Sequence, residues 1–276
     1  MTFPTFTDIH THLLFGVDDG AADIEHSRKM MEQAVECGIT QVAATPHITD
    51  LSTKPIIERV CDHFHQLEQE VFNEKWPLQI FLGAELFYNE RIFGWLTEHW
   101  ATFNNNGKYF LFELPLFDFP RGVADFIFQA KLKGITPILA HPERYIYLQK
   151  NMETLINWHQ QGCLMQMNAG SLIGHFGDEV AEFSKRLLEA RFFELVASDA
   201  HNPESRNFKV LRKAYEIANN ILPVAECDLL FSHNPRKAIA GEPIHQHTFQ
   251  EEMLHENWFN QFVKRIRRIK LNHRNF

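Results

Sequence analysis

Apolar, β-branched runs alternate with stretches of helical periodicity almost from the first residue. Strand-like runs fall at 6–12, 41–47, 78–85, 109–114, 136–141, 163–169 and 194–200, and helix-like stretches at 24–37, 55–75, 89–99, 122–133, 151–161, 177–191 and 205–219. The first helix shows the logic: Ile24, Met31, Ala34 and Val35 share one face, and Gly38 supplies the stop. Seven strand-then-helix units predict an α/β protein with a parallel sheet, either doubly wound or closed into a barrel. No linker rich in Gly, Ser or Pro divides these units, and no short repeat is visible, so one body is expected.

The last stretch differs. Residues 264–276 hold six basic residues (Lys264, Arg265, Arg267, Arg268, Lys270 and Arg274) and no acid. Setting aside residues 244–276 leaves 21 bases against 32 acids on the body, a net of −11. Trp258, Phe262, Ile266 and Ile269 recur at helical spacing, which predicts a basic amphipathic extension at 244–276. Such a helix packs on the acidic body, or docks through 250–276 on an anionic membrane surface or membrane-bound partner.

Composition narrows the function classes. The chain has 276 residues, 45% hydrophobic and 22% charged, which suits a folded globular protein. Its net charge of −8 argues against general nucleic-acid binding, which needs a basic footprint. No apolar stretch is long enough to cross a bilayer, and no signal-peptide pattern opens the chain. The four cysteines form no C-x-x-C pair and fit reduced thiols, so a cytoplasmic protein is expected. Nor does a C-x5-R pattern occur at any of them, which removes a cysteine-nucleophile route to phosphate hydrolysis.

Histidine is in excess, with 16 residues, several at the ends of strand-like runs. Ligands collect at the C-terminal ends of parallel strands. The first run ends with His10 and His12, an H-x-H whose side chains share one side, and Asp18 and Asp19 follow in the next loop. His47, Glu85, Glu113 and His141 end the next four runs, and Asp199 and His201 the seventh; the sixth offers only Asn168. A single such histidine is more often structural than a ligand. With about a quarter of residues being His or acid, six of seven by chance is well below one in a hundred. Imidazole and carboxylate without thiolate suit Mn, Fe or Zn better than Ca or Mg. Four carboxylates in one pocket would repel unless divalent ions neutralised them, and such a pocket attracts a phosphate dianion. Arg144 and Arg206 lie three and five residues past His141 and His201, placed to hold phosphoryl oxygens.

These residues resemble the PHP (polymerase and histidinol phosphatase) superfamily, and within it the bacterial manganese-dependent protein-tyrosine phosphatases of capsule and exopolysaccharide loci. The matching text is DIHTHLLFGVDDGAADIEHS at 8–27, ATPH at 44–47, GAEL at 83–86, FELP at 112–115, GITPILAHPERY at 134–145, VASDAHNPESR at 196–206 and NPRKAIAG at 234–241. The resemblance implies a distorted seven-stranded (β/α) barrel over 1–243, followed by the extension at 244–276. It further implies three divalent metal ions, with Mn2+ preferred over Fe or Zn. His10, His12, Glu85 and Asp199 would hold the first, and Glu85 would bridge to a second held by Glu113 and His141. Asp19, His47 and His201 would hold the third; Asp19 rather than Asp18 aligns with the ligand by standing immediately before Gly20. Arg144 and Arg206 match the family's arginines. The implied substrate is a phosphotyrosine protein, a membrane-bound tyrosine autokinase. Two other readings stand beside it: the same metals acting on a small phosphomonoester such as histidinol phosphate, and a non-catalytic metal-binding scaffold. The DDG segment and the ordered ERY and ESR motifs favour the phosphotyrosine substrate. The loop ITDLSTKP after His47, where some relatives carry basic residues, keeps the small substrate open, and the intact ligand set argues against the scaffold.

Overall fold

The computed structural model describes residues 4–89, 92–244, 246 and 248–250. Strands β1 (Phe6–Thr11), β2 (Ile39–Ala44), β3 (His47–Ile48), β4 (Gln79–Leu82), β5 (Glu85–Phe87), β6 (Tyr109–Glu113), β7 (Thr136–Ala140), β8 (Leu164–Asn168) and β9 (Leu195–Ala197) alternate with helices. The principal helices are α1 (Ile24–Glu36), α2 (Lys54–Glu74), α3 (Ile92–Trp95), α4 (Val123–Leu132), α5 (Ile146–Lys150), α6 (Met152–Gln160), α7 (Ala169–Leu172), α8 (Asp178–Glu189), α9 (Lys209–Ala218), α10 (Val224–Asp228) and α11 (Asn234–Ala240). All strand pairings are parallel, in the orders β1-β2-β4 and β3-β5-β6-β7-β8-β9.

The seven expected runs are all extended, yet they give nine strands, because 41–47 and 78–85 each break. Pro46 interrupts the first, since it lacks the N–H a ladder needs. Gly83 interrupts the second, where a Cβ would lie 3.1 Å from the Phe103 ring and 3.3 Å from Thr45. The bonding continues across both breaks, with Gly83 N donating to Ala44 O at 2.9 Å and Glu85 N to Pro46 O at 3.0 Å. His47 and Glu85 therefore open short second strands instead of ending long ones, and they stand directly opposite each other in the β3–β5 register. At the other edge, His12 N donates to Ala200 O at 2.8 Å and Asp199 N to His10 O at 2.9 Å, tying β1 to the chain leaving β9.

Two expected helices come out shorter. Among the described residues of 89–99 only α3 is helical, with Gly94 in its middle weakening it by about 1 kcal/mol relative to alanine. The helix expected from 205 begins at Lys209. The preceding N–H groups of Glu204, Ser205 and Arg206 turn instead onto the Asn202 side-chain oxygen at 3.1, 2.8 and 3.3 Å. Four segments were not expected as helices: α5, α7, α10 and α11.

Two apolar layers hold this framework. The larger lies between strands and surrounding helices; the smaller fills the inside with Ile9, Ala43, Leu111, Ile138, Leu164 and Leu195 among others, capped by Ala238 and Ile239 of α11. Strand alternation then carries the inner face upward from apolar to polar. It steps from Leu111 to Glu113 in β6, from Leu164 through Gln166 to Asn168 in β8, and from Leu195 through Ala197 to Asp199 along β9. The floor of the site is the packed interior itself.

Residues 251–276, and with them the expected basic helix, lie outside the described residues. The described start of the extension runs over the body at the N-terminal ends of the strands. Tyr109 Oη, opening β6, donates to Glu242 O at 2.9 Å and accepts from Ile244 N at 3.0 Å. Gln246 donates to the carbonyls of His159 and Cys163, Phe249 packs on His159 and Phe192, and Gln250 N donates to Ala190 O at 2.9 Å. Among the described residues no helix is long and apolar enough to cross a membrane. All four cysteines are free thiols, and burial pushes Cys163 far above the range of a nucleophile.

Candidate metal centre

Residues from distant parts of the chain meet where the strands end. His10 and His12 present their Nε2 atoms 3.3 Å apart. His10 Nε2 lies 3.1 Å from Glu85 Oε2 and 3.5 Å from Asp199 Oδ1; His12 Nε2 lies 3.4 and 3.3 Å from the same two oxygens. Donors held about 2.1 Å from one ion at tetrahedral angles stand about 3.4 Å apart. Five separations lie within a few tenths of that value, the spacing that donors to a shared cation would have.

The unpaired atoms say the same. Glu85 Oε2 is buried without any hydrogen bond, although nitrogens of His10, His12 and His47 stand 3.0–3.4 Å away. His47 Nδ1 is likewise unbonded at 3.0 Å from Glu85 Oε2 and 2.9 Å from Glu113 Oε1. Lone pairs brought this close and left unmatched are costly unless a positive charge sits among them. Four groups of donors lie within 4.8 Å of one another: His12, Asp19, His47 and His201; His10, His12 and Glu85; His10, His141 and Asp199; and His47, Glu85 and Glu113. All nine residues expected as ligands thus meet here. Their grouping differs from the expected one, because His47 stands with Glu113 and His12 with His201, while His141 stands with Asp199 and touches Glu85 Oε1 at 3.1 Å.

Electrostatics match the cage. Burial alone would raise Glu85 and Asp199, but the surrounding imidazoles, with Arg206 for Asp199, hold both carboxyls well below the usual range. Burial works against charge on His47, yet Glu85 and Glu113 outweigh it and hold the ring up at about 9. His141 goes the other way, pushed down to about 4 by burial and by Arg144. Without ions, protons on imidazole balance the carboxylates.

The arginines sit at the mouth. Arg206 Nη2 donates to Asp199 Oδ2 at 2.6 Å and Arg144 Nη1 to the same oxygen at 3.3 Å, with Asn168 Nδ2 completing the set at 2.7 Å. The Asn202 turn aims Arg206, whose carbonyl accepts from His201 N at 2.8 Å. Arg144 leaves the short turn Pro142–Arg144 and lies over the Phe176 ring at 4.2 Å. Backbone strain is spent at two of the candidate ligands, His141 (φ 35) and Asp199 (φ 54), both in the left-handed region.

The supporting roles of several residues escaped the sequence reading. Asp8, fully buried and raised by burial to about 6, takes the N–H groups of Ser198 and His10 and so joins β1 to the loop carrying Asp199. Glu143, raised by burial to about 7, accepts from Asn168 N at 3.0 Å and Ser171 Oγ at 2.6 Å, fixing the turn before Arg144. Asp18 accepts from His12 Nδ1 at 2.8 Å, and Gln166 Oε1 lies 2.9 Å from His10 Nδ1. The available signal was parity: Gln166 shares the inward face of β8 with Asn168, one layer below it.

Residues 6–240 match the family model described as capsular polysaccharide synthesis, CpsB/CapC. The tyrosine-protein phosphatase YwqE of Bacillus subtilis is 36% identical over 212 residues, covering 75% of this chain and 82% of that protein. The tyrosine-protein phosphatase CpsB of Streptococcus pneumoniae is 29% identical over 242 residues, 86% of this chain and 99% of its own. Among solved structures, one reported for YwqE and CpsB from those organisms as unique metal-dependent tyrosine phosphatases superposes with a TM-score of 0.81 at 32% identity, covering 88% of this chain and 98% of that one.

Proposed function

The chain belongs to the CpsB/CapC family of capsular polysaccharide synthesis, and from that premise we propose that it is a metal-dependent phosphatase that removes phosphate from phosphotyrosine in proteins. The observation that carries the reading is Glu85 Oε2, buried, unbonded and ringed by three imidazole nitrogens. Divalent ions held there supply Lewis acidity toward phosphoryl oxygens and lower the pKa of water. His10, His12, Glu85 and Asp199 would hold one ion, and His47, Glu113, Asp19, His201 and His141 would hold two more, manganese being the expected metal and Fe or Zn the alternatives.

The chain's own residues do the rest. Arg144 and Arg206 both donate to Asp199 Oδ2, which fixes the two guanidinium groups beside the candidate metal ligands. Their remaining N–H groups bind the incoming phosphate and stabilise the charge that grows on it during transfer. A tyrosine phenolate leaves with a pKa of about 10, so little help from a general acid is needed. The seven-stave barrel reading, with β2–β3 and β4–β5 each counted as one stave, is supported by the bonds that carry the ladder across both breaks and from β1 to Ala200. We assign 1–243 to the phosphatase domain and 244–276 to a basic extension, and take a membrane-bound tyrosine autokinase in the cytoplasm as the physiological substrate.

Metal analysis of the purified protein, joined to turnover of a phosphotyrosine peptide and of histidinol phosphate, tests the reading. Bound divalent metal and preferential peptide turnover are expected. Faster turnover of histidinol phosphate would move the substrate to a small phosphomonoester, and activity indifferent to chelators would overturn the metal mechanism.

A further inference from the structure

The two histidines of β1 are held by different chemistry on their far sides. An imidazole presents one nitrogen to a metal according to what the other nitrogen bonds. The Asp18 carboxylate can only accept, so the 2.8 Å contact puts the proton on His12 Nδ1. Gln166 is fully buried, and its amide nitrogen donates to Met167 O at 2.6 Å. Its carbonyl oxygen therefore faces His10 Nδ1 at 2.9 Å and can only accept there. Both Nδ1 atoms carry hydrogen, which leaves the two Nε2 atoms, 3.3 Å apart, as the ones that can shed a proton and ligate.

We propose that Asp18 and Gln166 are the positioning residues of the metal centre, fixing the ring tautomers of His12 and His10 so that both bare Nε2 atoms meet at one ion. The proposal rests on the metal reading above and adds what sets the donors. The two supports are unequal. Asp18 brings a full negative charge to the Nδ1–H of His12, which makes that ring the stronger donor; Gln166 brings only a carbonyl dipole. Asp18 also accepts from Gly20 N at 2.9 Å and His47 N at 3.0 Å, so one carboxylate orders His12, the backbone of His47 and the turn carrying Asp19. His12, Asp19 and His47 belong to one group of donors, and His12 joins His10 and Glu85 in a second. His10 also stands in two groups, so the difference lies in reach: losing Asp18 loosens one ring, the backbone of His47 and the Asp19 turn together, whereas losing Gln166 loosens one ring alone.

The first test needs no variant. In full-length protein labelled with 15N-histidine and loaded with Zn2+, two-bond 1H–15N spectra should show His10 and His12 protonated at Nδ1. Protonation of either ring at Nε2 in the loaded protein overturns the proposal. Metal affinity, measured by competition with a chromophoric chelator, gives the second. Asp18→Leu should weaken Zn2+ and Mn2+ binding by about 10- to 100-fold, and Gln166→Leu by less. Asp18→Asn and Gln166→Glu keep an accepting oxygen and should restore affinity to within a few-fold of the parent. Unchanged affinity in the folded leucine variants, or equal losses in Asp18→Leu and Asp18→Asn, overturns it. A wild-type protein that binds no divalent ion brings down the metal reading itself, an outcome distinct from bound metal with the wrong tautomer.

Discussion

Asp199 divides its two oxygens between two tasks, Oδ2 taking Arg206 Nη2 at 2.6 Å while Oδ1 faces the nitrogens of His10 and His12 at 3.5 and 3.3 Å. The arginine therefore touches the cage without belonging to it. Arg206→Ala should lower kcat/KM for an aryl phosphate by about 100-fold. Metal content should stay at the parental level. Steady-state kinetics beside metal analysis checks this, and lost metal would mean that Arg206 serves chiefly to hold Asp199.

Protons and metal compete at His47. In the ion-free protein its pKa stands near 9, above its ordinary 6.5, because Glu85 and Glu113 outweigh the burial that opposes its charge. A ligating ring must be deprotonated, so Mn2+ binding at pH 7 should release protons and tighten as pH rises toward 9. His141, neutral above about 4, contributes none of this dependence. Calorimetry in buffers of different ionisation enthalpy measures the release. The sign for stability is opposite. A raised folded pKa stabilises the ion-free protein fully below 6.5, and that stability is lost as pH climbs through 9. The melting temperature of the ion-free form should fall across that window.

Gly20 closes the turn between the two aspartates and the body. A Cβ there would run into the His12 carbonyl oxygen, 2.5 Å from its Cβ and 2.9 Å from Asp18 Oδ1. Gly20→Ala should cost about 2 kcal/mol or more in denaturant unfolding and weaken metal binding at the same time. Unchanged stability would show that the turn can move without consequence.

Deleting residues 251–276 should spare hydrolysis of a small aryl phosphate while weakening action on a large phosphoprotein partner. Equal loss on both substrates would make the extension part of the fold's support. The deletion leaves Phe249 and Gln250 in place against the body.

The sequence made the site legible because its candidate ligands follow apolar runs whose parity points inward, and Leu111 before Glu113 or Leu195 before Asp199 shows that rule at work. The partition of ligands was less legible, since it depends on side-chain angles: nothing in the spacing of His47 says that Nδ1 will face Glu113. The breaks at Pro46 and Gly83 were visible as residues, but their effect, turning His47 and Glu85 into paired openers of new strands, needed the third dimension. Asp18 was set aside because Asp19, immediately before Gly20, aligns with the ligand, and a supporting carboxylate carries no mark of its own in one dimension. Its role appears only where its oxygens meet His12, Gly20 and His47.

The placement of Ile244, Gln246, Phe249 and Gln250 has a mechanical consequence. They cross the body beside Tyr109, Cys163 and Ala190, at the foot of the strands, whereas the reacting end lies a strand's length away, roughly 16 Å for five residues. A hold taken on this end would moor the enzyme from behind and leave its mouth unobstructed, so that successive phosphorylated chains could enter and depart without the anchor letting go.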